Sequence, residues 1–356
     1  MKREYYILIL ALLALTACSD KPNDEPSDLV SLDLLTPVIV AENESRQKPV
    51  EGTFFPYIGL TQYYVAPGNT VYWDWEVTMF VCEKGSFNPH LTGSNNRRTI
   101  VRTIYVYSSS TGTWNESWYW LDGTLQARIG HDIDIYAYYP YIANKTFDPD
   151  AVPFTTNSQI DWMWADPTTI NNVSTENKTV PLKFHHAMTC IEVRLSTLYT
   201  SSIDLYQVIL TDDKQKLVSS GTMDIRNGSL TYTPNQQKIT ITSSGGVERL
   251  PVYNDVNSSY RSFCFIMPEK EFSEGDLKLT FIYDMQYDNG WHQTPGRADF
   301  TIPTTFTDSE GNSVSVTKFE TGKRYILNLM IDNTDLIVPL SFVTDDWVTN
   351  DVNLKI

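Results

Sequence analysis

Short segments in which apolar and polar residues alternate run through nearly the whole chain, and this period of two constrains the fold more than any other feature. Successive side chains of a strand point to opposite faces of a sheet, so alternation predicts strands with one buried face. Residues 132–138 and 190–195 alternate in this way, and Asn227-Gly228 between two further segments predicts a hairpin. No window of about twelve or more residues has a helical period. The pattern predicts an all-β protein.

The candidate strands lie between turn signals rich in serine, asparagine, glycine and proline. They are residues 99–107, 114–121, 132–138, 180–185, 190–195, 206–211, 221–225, 229–233, 238–242, 263–267, 277–283, 298–302 and 325–331. Strands at this spacing are typical of β-sandwiches. A length of 356 residues exceeds what one core usually organises, so we expect two domains. The least strand-like region, residues 198–202, places their boundary near residue 200 and gives domains 29–200 and 201–356.

The N-terminus has the features of an exported lipoprotein. Lys2 and Arg3 precede an apolar run, residues 7–15, that is too short to span a membrane stably. The run ends in Leu-Thr-Ala-Cys at 15–18, which resembles a bacterial lipobox. We expect residues 1–17 to be a signal peptide and Cys18 to carry a lipid anchor, the alternative being an ordinary signal peptide with a chance cysteine. Residues 18–28 are polar and acidic and predict a flexible tether.

Charge and cysteine content exclude several classes of function. The net charge of −16 argues against nucleic acid, whose phosphates require a basic face. Cys82, Cys190 and Cys264 are far apart and form neither a disulfide framework nor a metal-ligand pattern, so we expect buried free thiols. The adjacent His185 and His186 would point to opposite faces of a strand and therefore cannot bind one metal ion together.

No motif for catalysis or cofactor binding is present, so we expect no enzyme, no cofactor and no metal site. Two alternatives remain open. The aspartates at 148–150 and 212–213 could hold calcium, although turns on protein surfaces are commonly rich in aspartate. A pair of carboxylates that meets only in the fold could form a glycosidase site.

Tryptophans are concentrated in the first half of the chain. They are Trp73, Trp75, Trp114, Trp118, Trp120, Trp162 and Trp164. Exposed aromatic rings can stack on sugars, whereas buried aromatic rings fill sandwich cores. We favour the core interpretation and expect at least one tryptophan of the motif at 161–165 to be buried.

Several segments together resemble the fimbrillin family, the lipidated pilus subunits and related proteins of Gram-negative gut and oral bacteria. They are Asp-Ile-Tyr-Ala-Tyr-Tyr-Pro-Tyr at 134–141, Asp-Trp-Met-Trp-Ala at 161–165, Val-Pro-Leu-Lys-Phe-His-His-Ala at 180–187 and Phe-Glu-Thr-Gly-Lys-Arg-Tyr at 319–325, with Trp347 near the C-terminus. The resemblance implies two transthyretin-like β-sandwich domains. It also implies assembly by donor-strand exchange, in which an arginine-specific protease removes an N-terminal strand and another subunit's strand fills the groove.

Both elements of that mechanism have candidates in this sequence. Residues 29–41 are apolar enough to fill a groove, so we expect them to be paired within the first domain, with Pro37 at an edge or a break. Arg46 follows in a polar stretch, residues 42–49, and is the candidate cleavage site. The alternative is a strand that is never cut, as in an anchor or a non-polymerising relative.

The expected function is therefore that of a structural subunit or accessory protein of an adhesive surface pilus. The expected partners are other fimbrial subunits, the outer membrane through the lipid on Cys18, and a receptor or glycan on a host or bacterial surface. The alternative is an outer-membrane glycan-binding lipoprotein of a polysaccharide-uptake system.

Overall fold

The computed structural model describes residues 28–34, 38–39, 55–58, 61–66, 70–72, 76–87, 97–101, 104–108, 113–115, 119–120, 125–140, 142, 148–198, 202–242, 248–252, 260–286, 292–307, 311–332 and 337–346. Every regular element in these residues is a β-strand, so the all-β prediction is confirmed. None of the described residues belongs to a helix that is long and apolar enough to cross a membrane.

The strands up to residue 186 include many short ones. In chain order they are β1 (Leu29–Ser31), β2 (Asp33–Leu34), β3 (Val38–Ile39), β4 (Phe55–Ile58), β5 (Thr61–Ala66), β6 (Thr70–Tyr72), β7 (Glu76–Glu83), β8 (Arg97–Val101), β9 (Ile104–Ser108), β10 (Thr113–Asn115), β11 (Tyr119–Trp120), β12 (Gln126–Arg128), β13 (Ile133–Tyr139), β14 (Val152–Thr155), β15 (Met163–Ala165), β16 (Thr168–Ile170), β17 (Thr179–Val180) and β18 (Lys183–His186).

The strands that follow include the longest ones described. They are β19 (Thr189–Thr197), β20 (Ser202–Asp212), β21 (Ser220–Met223), β22 (Leu230–Tyr232), β23 (Lys238–Thr242), β24 (Glu248–Arg249), β25 (Arg261–Met267), β26 (Lys270–Glu271), β27 (Leu277–Gln286), β28 (His292–Thr301), β29 (Thr305–Thr307), β30 (Ser313–Ser315), β31 (Lys318–Phe319), β32 (Lys323–Ile331) and β33 (Ile337–Asp346).

Two sheets in the second half of the chain pack face to face as a β-sandwich. One has the strand order β25-β19-β32-β33, and the other has the order β23-β20-β27-β28 with β24 also paired to β20. Alternate residues of β19, such as Ile191 and Val193, share one apolar cluster with Val208 of β20 and Phe281 of β27. We call this cluster the C-terminal core. Each large side chain buried there stabilises the fold by about 1.5–3 kcal/mol.

A larger sheet is formed mainly by the first half of the chain, and we call it the N-terminal sheet. Its strand order is β11-β8-β7-β13-β15-β18-β3, and β16 also pairs with β13. One face carries Met79 of β7, Ile135 of β13, Met163 of β15 and Phe184 of β18 into an apolar cluster that we call the N-terminal core.

The other face of β7 and β13 contributes to a third cluster, the central core. Phe80 and Tyr138 lie there beside Phe154 of β14, and they share the cluster with Cys190 of β19 and Ile266 of β25. β13 is consequently buried on both faces, and all seven of its residues are buried. The central core therefore joins the N-terminal sheet to strands of the C-terminal sandwich.

The three described cysteines are buried free thiols, as the sequence predicts. Cys82, Cys190 and Cys264 all belong to the central core. Burial raises the pKa of the Cys190 thiol, and its hydrogen bond with Cys264 raises that pKa further. All three side chains are buried in the central core, so these cysteines act as packing residues.

Two of the strand predictions are wrong in their extent. Residues 99–107 were expected to form one strand. Instead, β8 ends and β9 begins within this range, and the two strands lie in different sheets. Residues 114–121 are likewise divided between β10 and β11, which also belong to different sheets. In the sequence, the alternation continues from β8 into β9 and from β10 into β11. Such a local pattern does not identify the partner strand of each part.

The hairpin predicted at Asn227-Gly228 is confirmed. β21 and β22 pair antiparallel on either side of it, and Gly228 has the positive φ of 69° that such turns use. The division into domains 29–200 and 201–356 stays a prediction. β19 ends before the expected boundary, and its partners β25 and β32 lie beyond it.

Candidate functional site

The first described residues of the chain pair with the edges of three strands as an extended segment. We call residues 28–34 and 38–39, which contain β1, β2 and β3, the N-terminal segment. β1 runs antiparallel to β12, with Leu29 opposite Arg128 and Ser31 opposite Gln126. β2 then runs parallel to β17, and β3 runs parallel to β18 at the edge of the N-terminal sheet.

The change from pairing beside β12 to pairing beside β17 occurs at Leu32. Its amide donates a hydrogen bond of 2.9 Å to the carbonyl of Leu125, just before β12. The next amide, that of Asp33, donates a bond of 3.0 Å to the carbonyl of Lys178, just before β17. Two consecutive amides of the segment therefore bind two different edges.

Leu32 is also the main apolar contact of the N-terminal segment among the side chains described there. Its side chain is 1% exposed and belongs to the N-terminal core together with Leu125, Ala127 and Val180. Val30 packs against the same core from the next inward-facing position of the strand. Full burial of one leucine stabilises a contact of this kind by about 1.5–3 kcal/mol.

Two ion pairs flank Leu32. The Asp28 carboxylate lies 3.7 Å from Nε of Arg128, and the Asp33 carboxylate lies 3.2 Å from Nζ of Lys178. Both aspartate side chains are 61% exposed. Exposed pairs of this kind contribute about 0.2–1 kcal/mol each.

The N-terminal segment is held by short ladders. β1 pairs through three residues, and β2 and β3 pair through two residues each. β20 and β27 in the C-terminal sandwich pair through ten. Removal of the segment would uncover the edges of β12, β17 and β18 and the site that Leu32 fills, while the longer ladders would stay paired.

The tryptophan motif at 161–165 is a packing element. Trp162 is 4% exposed in the central core, and its ring centroid lies 6.3 Å from that of Phe154. The Trp164 indole stacks on the His185 ring with centroids 4.9 Å apart. The turn at Gly228 also lies against the indole, at Cδ1 and Nε1. Because Phe154 packs against the Trp162 ring, and His185 and Gly228 against the Trp164 ring, neither ring is a free platform for a sugar.

The adjacent histidines point to opposite faces, as the sequence predicts. His186 Nδ1 lies 2.7 Å from Oδ2 of Asp161, and both side chains are buried. His185 Nε2 lies 2.9 Å from Oδ1 of Asp166 at a partly exposed position. Asp161 precedes β15 and Asp166 follows it, and β15 is the neighbour of β18 in the N-terminal sheet. The two contacts therefore hold β18 to both ends of β15.

The part of the chain that the structure describes contains no group of three or more histidine, cysteine, aspartate or glutamate residues that could hold a metal ion. Asp212, one of the aspartates considered for calcium, pairs instead with Nζ of Lys270 at 2.7 Å, and both side chains are largely buried.

Comparison with known protein families shows what kind of protein has this arrangement. A family model described as fimbrillin-like matches residues 85–347, which is more than half of the sequence. This chain belongs to the fimbrillin-like family.

Several solved structures of Bacteroides proteins are similar to this chain. A protein assigned to cell adhesion from Bacteroides uniformis is 14% identical, covers 77% of this chain and 91% of its own, and has a TM-score of 0.45. A fimbrial protein from Bacteroides vulgatus is 14% identical over 77% and 92%, with a TM-score of 0.40. Another protein assigned to cell adhesion, from Bacteroides fragilis, is 9% identical over 91% and 100%, with a TM-score of 0.45. No curated protein sequence matches. Because all three TM-scores are below 0.5, the assignment rests on the family model.

Three fimbrillin-like motifs lie on strands that adjoin one another. The motif at 134–141 supplies β13, the motif at 161–165 supplies β15, and the motif at 180–187 supplies β18. These strands are consecutive in the N-terminal sheet. The motifs therefore contribute to the packing of the N-terminal and central cores.

The prediction that residues 29–41 pair with strands of the expected first domain, residues 29–200, is confirmed for β1, β2 and β3. Pro37, Cys18 and Arg46 lie outside the described residues. Tryptophans 73, 75 and 118 lie outside them as well. The sequence did not identify β12, β17 and β18 as the edges that bind the segment, because nothing local marks a pairing partner about a hundred or more residues away.

Substitution of Leu32 tests whether this side chain holds the N-terminal segment. Leu32→Ala should weaken docking of the segment by about 2–5 kcal/mol, since it removes burial and leaves a cavity. Hydrogen–deuterium exchange at the amides of Leu32 and Asp33 should accelerate accordingly. Leu29→Ala is the matched control, because Leu29 is 36% exposed, and it should change exchange little. Equal effects of the two substitutions would contradict this role for Leu32.

Alanine substitution at two glycines distinguishes the effect of Trp164 packing from the effect of backbone strain. Gly228 and Gly275 both have positive φ, 69° and 83°, so alanine is strained at either position by about 1–2 kcal/mol. A Cβ at Gly228 would overlap the Trp164 indole, whereas a Cβ at Gly275 meets nothing within 4 Å. Gly228→Ala should therefore destabilise the protein in urea unfolding by about 1–3 kcal/mol more than Gly275→Ala. Equal losses would show that Trp164 can move away from the turn.

Proposed function

We propose that this fimbrillin-like protein is a structural subunit or accessory protein of an adhesive cell-surface pilus. Assembly proceeds by donor-strand exchange, in which the N-terminal segment leaves its edges and a strand of another subunit replaces it. The protein is exported as a lipoprotein and reaches the outer surface of the cell before it assembles. Its partners are other fimbrial subunits, and it performs no catalysis.

The observation that carries the proposal is how the N-terminal segment binds. An extended strand that completes a sheet edge can be replaced by any strand that offers the same backbone hydrogen bonds and the same apolar contact. Here the binding consists of three short ladders and the buried side chain of Leu32. The three cores are formed almost entirely by other residues, so the fold can persist while the segment is exchanged.

The position of Arg46 supports a proteolytic trigger. It follows β3 and precedes β4, so one cut after Arg46 would separate the N-terminal segment from all later strands. Once it is separated, the segment would be held by non-covalent contacts alone, and its release would create the vacant edge. Without the cut, the chain would act as a non-polymerising anchor or terminal subunit.

Lipidation of Cys18 would place this event at a membrane. Residues 18–28 connect the proposed lipid to the first described strand, and a chain of about ten residues reaches roughly 35 Å when fully extended. After a cut at Arg46, the body of the protein would be joined to its lipid only through the non-covalent contacts of the N-terminal segment. Release of the segment would then create the vacant edge and detach the body from the membrane in one step.

Treatment with an arginine-specific protease tests the exchange. The full chain should give a ladder of polymers that resist mild detergent, and Arg46→Lys should give none, because lysine keeps the charge but is not a substrate. A chain that is cut after residue 46 and remains monomeric would contradict exchange. A ladder from the Arg46→Lys protein would contradict the assignment of the cleavage site.

Substitution of Cys18 tests the anchor independently of assembly. Cys18→Ala removes the only thiol in the proposed lipobox, so the protein should move from the membrane fraction to the soluble fraction of the envelope. Metabolic labelling with a fatty acid should label the natural protein and leave the variant unlabelled. Membrane association that persists in the variant would contradict lipidation at Cys18.

A further inference from the structure

The edges that hold the N-terminal segment differ in charge from the rest of the protein. The whole chain has 43 acidic and 27 basic residues. The two edge stretches, residues 125–128 and 178–184, contain Arg128, Lys178 and Lys183 and no acidic residue. We call these two stretches the acceptor edge. Every charged residue of the acceptor edge is therefore basic, in a protein with a net charge of −16.

The N-terminal segment has the complementary charge. Residues 28–34 contain Asp28 and Asp33 and no basic residue. Asp28 lies beside Arg128 at 3.7 Å, and Asp33 lies beside Lys178 at 3.2 and 3.4 Å through its two carboxylate oxygens. Each acidic residue of the segment therefore has its own basic partner on the acceptor edge.

These charge contacts form in the same register of the strand as the apolar contact of Leu32. The Asp33 amide donates to the Lys178 carbonyl while the Asp33 carboxylate contacts the Lys178 ammonium, so a single pair combines a backbone bond with a charge contact. A slip of one residue would turn Leu32 away from the N-terminal core and move the carboxylate out of reach. Apolar contact and charge contact consequently require the same alignment.

We propose that the acceptor edge selects its occupant by charge. A strand that enters from another subunit must place an apolar residue at the position of Leu32 and acidic residues at the positions of Asp28 and Asp33. A strand with lysine or arginine at the position of Asp33 is rejected by Lys178. This inference rests on the proposed function, because it describes the strand that replaces the N-terminal segment.

Selection follows from the physics of exposed charges. Pairs at this exposure add little affinity, but complementary charges steer association, and like charges oppose it. Discrimination arises as much from the repulsion of a basic strand as from the attraction of an acidic one. Because the pairs are exposed, the discrimination should weaken as the salt concentration rises.

A charge-reversal cycle in the intact chain tests the selection without any assembly. Asp33→Lys and Lys178→Glu should each increase the exchange rates of the Leu32 and Asp33 amides by about fivefold at low salt. The double variant restores an opposite pair and should exchange like the natural protein. Amides of β20 (Ser202–Asp212) should be unaffected in all three variants, which excludes general unfolding.

Synthetic peptides test the same selection between molecules. A labelled peptide of residues 28–40 should bind the protease-treated protein, and the Asp33→Lys peptide should bind about fivefold more weakly at low salt. Treated Lys178→Glu protein should reverse this preference. Equal binding of the two peptides, or a charge-reversal cycle with no recovery in the double variant, would overturn the inference.

The outcomes distinguish this inference from the proposed function. If neither peptide binds and the treated protein forms no polymer, the proposal of donor-strand exchange is wrong. The charge-reversal cycle in the intact chain still tests whether the acceptor edge discriminates between strands by charge. If both peptides bind equally and polymers form, exchange stands and selection by charge fails.

Discussion

Burial of β7 and β13 on both faces is the constraint on which the rest of the structure depends. Their alternate side chains enter the N-terminal core on one side and the central core on the other. A strand in this position cannot shift by one residue without exchanging the two sets of side chains between two packed environments. The register of the N-terminal sheet and its attachment to the C-terminal sandwich are therefore fixed together.

The N-terminal segment is bound in a different way. It contributes Leu32 and part of Val30 to a core that other strands complete, and its ladders are two or three residues long. Opening of such an edge requires much less free energy than unfolding of the interior. A pilus subunit needs this difference, because its edge strand must be exchanged while the body keeps its shape. The fimbrillin-like motifs at 134–141 and 161–165 lie in the body, whereas the proposed assembly site lies at its edge.

Sequence patterns predicted the parts of this structure that depend on local alternation. Residues 132–138 and 190–195 were expected as strands, and β13 and β19 confirm them, although β13 is buried on both faces and not on one. The apolar content of residues 29–41 also predicted that this segment pairs. Its partners were beyond such reasoning, since Asp33 and Lys178 are 145 residues apart and β2 and β17 are each two residues long. The two basic residues that face Asp28 and Asp33 became recognisable as a site only when the fold brought them together.

A disulfide that locks the segment in place tests the central claim most directly. Ser31 lies opposite Gln126, and because a hydrogen bond joins Leu32 to Leu125, the pair next to it is of the non-hydrogen-bonded kind, with Cα atoms about 4.5 Å apart. That separation suits a disulfide between cysteines introduced by Ser31→Cys and Gln126→Cys. After cleavage by an arginine-specific protease, the oxidised variant should remain monomeric and should form polymers once a reductant opens the bond. Polymers of equal length from the oxidised and reduced protein would contradict the account, because assembly would then proceed with the N-terminal segment still in place.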